Sequence, residues 1–151
     1  MKAADLSQRE IVTCSERDSL EHVASLMWKF DIGGLPVVNA SGHAVGMITD
    51  RDVAMAAYLQ GAPLRSITVA SVMSRELVTC KELDLITAVE QVMRARQVRR
   101  IPVVDDQGKL LGMVSINDIA RAATEGKLPS ADVASTLAAI SRPRLVHPTE
   151  E

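Results

Sequence analysis

The chain has 151 residues, of which 47% are hydrophobic, 24% charged and only 2% aromatic: Trp28, Phe30 and Tyr58. That length suits one domain or two small ones, and the core must be aliphatic. Seventeen Lys and Arg against nineteen Asp and Glu give a net charge of −2, which excludes a global basic field for nucleic acid, and three aromatics are too few for a base-stacking platform.

The opening segment MKAADLSQRE has no apolar run of signal-peptide length, and no run approaches the ~20 residues that span a bilayer. The expectation is a cytoplasmic protein with no membrane and no nucleic-acid partner. Offset by 66 residues, the chain matches itself: Val12–Ala57 and Val78–Ala123 are identical at 17 of 46 positions without a gap. Two copies at so long a period indicate two copies of one small domain, not a solenoid.

In chain order, a strand is predicted over Ile11–Cys14, followed by an acidic turn with Asp18 at a helix start. The helix carries Leu20, Val23 and Met27 at helical spacing. A strand over Leu35–Asn39, a turn at Ser41-Gly42 and a strand over Ala44–Thr49 come next, then a helix of about ten residues from Asp50. Gln60–Ser66, with Gly61 and Pro63, is the predicted linker, and Ser71–Met73 a short helical lead-in. The second copy repeats this order: Leu77–Cys80, a helix with Ile86, Val89 and Met93, Ile101–Asp105, Leu110–Ser115 and a helix from Ile116. Pro129–Ile140 has a helical pattern, and Ser141–Glu151 none. The fold class is therefore α+β, two β-α-β-β-α units packed about a pseudo-twofold axis, with units at 1–62 and 63–127 and a helix and tail at 128–151. Alone, each unit has little core, so the two are expected to bury their open sheet faces together and form two equivalent clefts.

The chemistry-bearing runs are GMITDRD (Gly46–Asp52) and GMVSINDI (Gly112–Ile119). Each sets a hydroxyl residue at a strand end and an Asp three positions later, in the first helical turn. Backbone N–H groups there suit a phosphate, and the Asp suits vicinal ribose hydroxyls. Ser/Thr-x-x-Asp is equally the pattern of a capping box. The two roles can coexist.

The doubled pattern Val-Thr-Cys, Leu-Pro-Val-Val, Gly-Met-Ile-Thr-Asp-Arg-Asp resembles a CBS (cystathionine β-synthase) domain pair, or Bateman module, over about residues 5–124. The resemblance implies a non-catalytic sensor of an adenine nucleotide (AMP, ADP or ATP) as regulatory ligand, with no obligatory cofactor; the alternatives are a sensor of NAD or S-adenosylmethionine, or a protein-interaction scaffold with vestigial clefts. It also implies a homodimer, for which the helices around Val53–Leu59 and Ile119–Ala123 are candidates, and a separate effector protein. Carried over by position, one cleft combines Thr49, Arg51 and Asp52 with Lys81, Val98, Arg99, Arg100, Ile101 and Pro102. The other combines Ser115, Asn117 and Asp118 with Ser15, Ile32 and Gly33. Where the second copy has Arg99-Arg100, the first has Gly33-Gly34, so the Thr49/Asp52 cleft is expected to take the more phosphorylated ligand.

Other residues have plainer readings. Cys14 and Cys80 match by duplication and lack metal-ligand company. The methionines follow the apolar faces. Arg94 and Arg96 are expected to form a solvated helix end, and Trp28 with Phe30 to be either a dimer contact or partly buried. No catalytic constellation is present.

Overall fold

The computed structural model describes residues 1–144. Helix α1 (Ala3–Leu6) leads into the first unit: α2 (Leu20–Phe30), β1 (Gly34–Val38), β2 (Ala44–Thr49) and α3 (Asp50–Gln60). The second unit is α4 (Ile86–Arg96), β3 (Arg100–Val104), β4 (Leu110–Ser115) and α5 (Ile116–Thr124), followed by α6 (Ser130–Ile140). The architecture is α+β, with two antiparallel hairpins, β1–β2 and β3–β4, in the same register and with the same bulge after Val37 and Val103.

The strands predicted over Ile11–Cys14 and Leu77–Cys80 do not form. Each is reduced to one parallel bridge, Cys14 with Val37 and Cys80 with Val103. The physical reason lies in the next residue. The Ser15 amide is taken by the Asp18 carboxylate at 2.8 Å and the Lys81 amide by Asp84 at 2.8 Å, so the chain turns away at once. Asp18 and Asp84 thus close turns; the side chain capping α2 is Ser19. The predicted lead-in forms slightly earlier, as a 3-10 turn over Val69–Ser71, and a second such turn, Leu64–Ser66, occupies the linker.

Packing does not follow covalent order. Ala3, fully buried, lies in the core of the second unit with Cys80, Ile86, Met93, Ile101 and Ile119, and the half-buried Leu6 packs against that core. Ile67, Val69 and Met73 lie in the first unit's core, with Leu20, Leu35 and Ile48. Each repeat's leading segment therefore crosses to the other unit, and the crossing is symmetric: Gln8 bridges Met113 as Ser74 bridges Met47. Each receiving strand carries a glycine at its third position, where a Cβ would crowd the crossing segment: one on Gly46 would stand 2.6 Å from the Ser74 carbonyl oxygen and one on Gly112 3.1 Å from that of Gln8. The hairpin turns also join, with the Leu110 amide donating to Gly42 and the Ala44 amide to Gly108.

Helix α6 breaks the symmetry. It lies on α4 and α5 and is held by a buried polar cluster in which Arg94 donates to the Thr136 hydroxyl at 2.7 Å, itself 3.1 Å from Glu90. Arg94 is therefore a half-buried, hydrogen-bonded residue, not a fully solvated one, because α6 packs on that side of α4. Ile119, Ala122 and Ala123 are buried, so the expected dimer face on α5 is sealed within the chain. Of the expected tail, Arg144 is tied to the carbonyls of Arg96 and Gln97; residues 145–151 lie outside the described residues.

Burial raises the Glu90 carboxyl pKa above its ordinary 4.5, opposed by the Thr136 bond and Arg94 and reinforced by Asp132. An acid with a raised folded pKa stabilises below its unfolded pKa and loses that contribution as pH rises through the folded value. Glu90→Gln keeps an acceptor for Thr136 and removes the charge. Melting temperatures across pH should coincide for the two proteins in acid and diverge above pH 4.5, with Glu90→Gln the more stable at pH 7.

Candidate ligand-binding site

Both Ser/Thr-x-x-Asp runs fold as capping boxes. The Thr49 amide donates to Asp52 at 2.9 Å and the Asp52 amide to the Thr49 hydroxyl at 3.2 Å. Ser115 and Asp118 repeat this at 2.8 and 3.2 Å. The carboxylates are thereby fixed at helix N-termini, where helix dipoles favour negative charge.

The two acids then differ. Asp118 is buried, and its Oδ1 accepts from the Gln8 amide at 2.9 Å and from Arg121. The matching positions in the first unit are Ser74 and Met55, and the Asp52 Oδ1 has no hydrogen-bond donor among the described residues. One carboxylate is occupied; the other presents a free acceptor.

A cleft of about 210 Å³ lies at the seam, and Ile32, Gly33, Asn117 and Asp118 meet there. That is the mixed-repeat grouping the sequence suggested. Ser115 stands behind it as the α5 cap, whereas Ser15 stays in its own turn, its hydroxyl accepting from Arg17. Residues the sequence did not single out also line the cleft: Gln8, Glu10, Ile11, Val12, Asp31, Gly34 and Met113. Ile11 and Val12 had a signal, as apolar residues leading into a repeat. Gln8 had none, since its matching position holds Ser74.

Arg100 is the main relocation. The sequence grouped it with Asp52, yet it lines the Asp118 cleft. The glycines explain this, for a Cβ on Gly34 would stand 2.5 Å from the Arg100 Nη1. Arg100 lies across the space that the missing side chain leaves. Burial lowers its pKa below the ordinary guanidinium range, Asp50 opposing and Arg99 adding to the shift; it stays charged at neutral pH.

The remaining candidates disperse. Lys81 turns to the Asp105 carbonyl and lies 3.7 Å from Asp106, at the β3–β4 turn. Ile101 and Pro102 are buried in the second unit, with Val98 packed at its edge. Arg51 and Arg99 are exposed. A second cavity of about 600 Å³ is lined by Glu76–Thr79, Val92, Ala95 and Arg96, and none of Thr49, Arg51 or Asp52 reaches it. Burial pushes the Cys14 thiol up to about 12 and Cys80 to about 11, so both stay protonated at neutral pH. Among the described residues no group of His, Cys, Asp and Glu is arranged to hold a metal, and no helix is long and apolar enough to cross a membrane.

The duplicated fold and seam cleft define a tandem module. The CBS domain model matches residues 3–58 and 69–125, and the chain belongs to the CBS domain family. The CBS domain-containing protein YhcV of Bacillus subtilis is 36% identical over 116 residues, 77% of this chain and 81% of that one. An uncharacterized protein of Methanopyrus kandleri, MK0525, is 29% identical over 119 residues, 79% of this chain and 61% of its own length. The inosine-5'-monophosphate dehydrogenase of Methanocaldococcus jannaschii is 31% identical over 118 residues, 78% of this chain but 23% of the enzyme. Among solved structures, the CBS domain pair of protein MJ0100, in complex with 5'-methylthioadenosine and S-adenosyl-L-methionine, superposes with a TM-score of 0.77 at 28% identity, covering 84% of this chain and 98% of that one.

Proposed function

We propose that this chain is a non-catalytic regulatory module that binds an adenine nucleotide (AMP, ADP or ATP) at the seam and passes the bound state to a separate effector protein. The observation that carries this is the Asp118 cleft. It joins an apolar wall for a base (Ile11, Val12, Ile32), a helix-start carboxylate for ribose hydroxyls and a cross-seam guanidinium for phosphate. A ribose at Asp118 takes the place of the Gln8 amide, so binding there is coupled to the crossing N-terminal segment. Such coupling requires different ligand affinities in the two states. The Asp52 cleft, with its free acceptor, is the second candidate seat.

S-adenosylmethionine is the second reading. Glu10, Asp31 and Asp118 line the cleft against one arginine, a balance that suits a sulfonium cation, and the MJ0100 pair supports an adenosine-bearing ligand. Thermal unfolding with adenosine, AMP, ADP, ATP, NAD and S-adenosylmethionine distinguishes these readings. A ligand at 100 times its Kd contributes about 2.7 kcal/mol, a rise of roughly 5–10 °C for a chain of this size. AMP, ADP or ATP should give the largest rise; the largest rise with S-adenosylmethionine favours the second reading. No rise with any compound would leave a protein-interaction scaffold with vestigial clefts.

A further inference from the structure

The 66-residue offset also sets Met1–Arg9 against Ile67–Arg75. These are the two crossing segments, and each straps its receiving unit in the same way. The Ala3 and Ala4 amides donate to the Asp84 and Glu82 carbonyls, as those of Val69 and Ala70 donate to Asp18 and Glu16. Arg9 pairs with Glu82 at 2.8 Å, and Arg75 with Glu16 at 2.8 Å. Gln8 exchanges backbone bonds with Met113, and Ser74 with Met47.

The anchors differ. On the first unit the strap is held by apolar side chains, for Ile67, Val69 and Met73 are all buried. At the same three places the N-terminal strap has Met1, 40% exposed, the small Ala3 and the polar Ser7. Several buried methyl and methylene groups are thus missing, and apolar area removed from water is what holds such a segment down. In their place stands a contact with no counterpart: the Gln8 side-chain amide donates to the Asp118 carboxylate at 2.9 Å. One strap is fixed by packing; the other is clamped to a carboxylate that faces the cleft.

We propose that Met1–Arg9 is a displaceable strap and an internal competitor of the ligand. In the ligand-free chain Gln8 fills the diol seat on Asp118; a ribose that takes this seat frees the strap from the second unit, while Ile67–Arg75 stays in place. This rests on the ligand reading of the Asp118 cleft and adds how the bound state leaves that cleft. Asp118 has no spare oxygen. Its Oδ2 accepts from the Ser115 amide and hydroxyl, and its Oδ1 from Gln8 and Arg121. Ser115 and Arg121 belong to α5 and its cap, so Gln8 is the donor that can leave when two vicinal hydroxyls arrive. Its departure strips the Met113 N–H and carbonyl of their partners on the strap and opens the seat of Ala3 at the second core. That surface is bared only while the ligand is bound.

Amide hydrogen exchange on the full chain tests this, with adenosine, AMP and S-adenosylmethionine as probes, since all three carry the ribose. A probe that binds should speed exchange at Ala3, Ala4, Gln8 and Met113 by about tenfold or more, and leave Val69, Ala70, Ser74 and Met47 unchanged. Gln8→Ala, at an exposed position, should speed the same four amides with no ligand present. It should also tighten binding by about tenfold, the factor that a hydrogen bond to a charged group contributes, because the competitor is gone. A Gln8 that donated to the ligand would weaken binding instead. Ser7→Met, which gives this strap the anchor of the other, should slow exchange and weaken binding. A bound probe that leaves the strap as protected as before overturns the proposal, and so does Gln8→Ala binding no tighter than the wild type. If no probe binds, the proposed function falls, and ligand-free Gln8→Ala decides the clamp by itself: exchange no faster than in the wild type overturns it.

Discussion

Replacing Asp118 with alanine is expected to lower the unfolding free energy by about 2–4 kcal/mol, against about 1 kcal/mol for Asp52→Ala. Both substitutions remove a capping box. Only Asp118 is also buried and bonded to Gln8, to the Ser115 hydroxyl at 2.6 Å and to Arg121. Its removal strands the Ser115 donors in a part-buried site and releases the hold on the segment that delivers Ala3 to the second core. The Arg121 pair adds little, because that side chain is 63% exposed. Urea unfolding with an unchanged m value measures the difference; equal losses for the two variants would show that the Gln8 contact carries no stability.

Gly34→Val is expected to cost at least tenfold in affinity for a phosphorylated ligand while leaving the fold intact. A Cβ at this position would stand 2.5 Å from the Arg100 Nη1, closer than real side chains approach, and tightly at 3.0 Å from its Cζ and 3.1 Å from its Cδ. The side that yields is Arg100, whose long flexible chain must swing out of the cleft. Gly34 has no left-handed backbone and sits at the first position of β1, where valine is favourable. The variant therefore displaces a charge without deleting it, and Arg100→Gln deletes it in place. If Arg100 meets the phosphate, calorimetry should show both variants losing about 1.4 kcal/mol or more for AMP and neither changing for adenosine. Wild-type AMP affinity in Gly34→Val would dismiss the cross-seam arginine as a ligand contact, even where AMP itself binds.

Much of this was legible beforehand because duplication writes the same information twice. The hairpins β1–β2 and β3–β4, the four long helices of the repeats and both capping boxes follow from local rules: alternation, helical spacing and a hydroxyl three residues before an acid. The seam grouping of Asn117 and Asp118 with Ile32 and Gly33 followed from the resemblance. The apolar runs ending at Cys14 and Cys80 look like strands in the sequence, yet each makes one bridge, because the Asp18 and Asp84 carboxylates take the next residue's amide and turn the chain away. Arg94 was read as solvated because nothing in its own helix announces that α6 will cover it.

The sequence by itself determined that the chain is two copies of one α+β unit, with an aliphatic core and an acid in the first turn of each copy's last helix, Asp52 and Asp118. Those are local or periodic properties, and a 66-residue offset exposes them without coordinates. Only the tertiary structure decided which unit each leading segment joins, that Arg100 crosses to the Asp118 cleft and that one helical face is sealed while its twin stays open. Each of these depends on which surfaces meet. Two glycines read as mere absence in the chain, and become the seat of an arginine only when the opposite strand is brought against them.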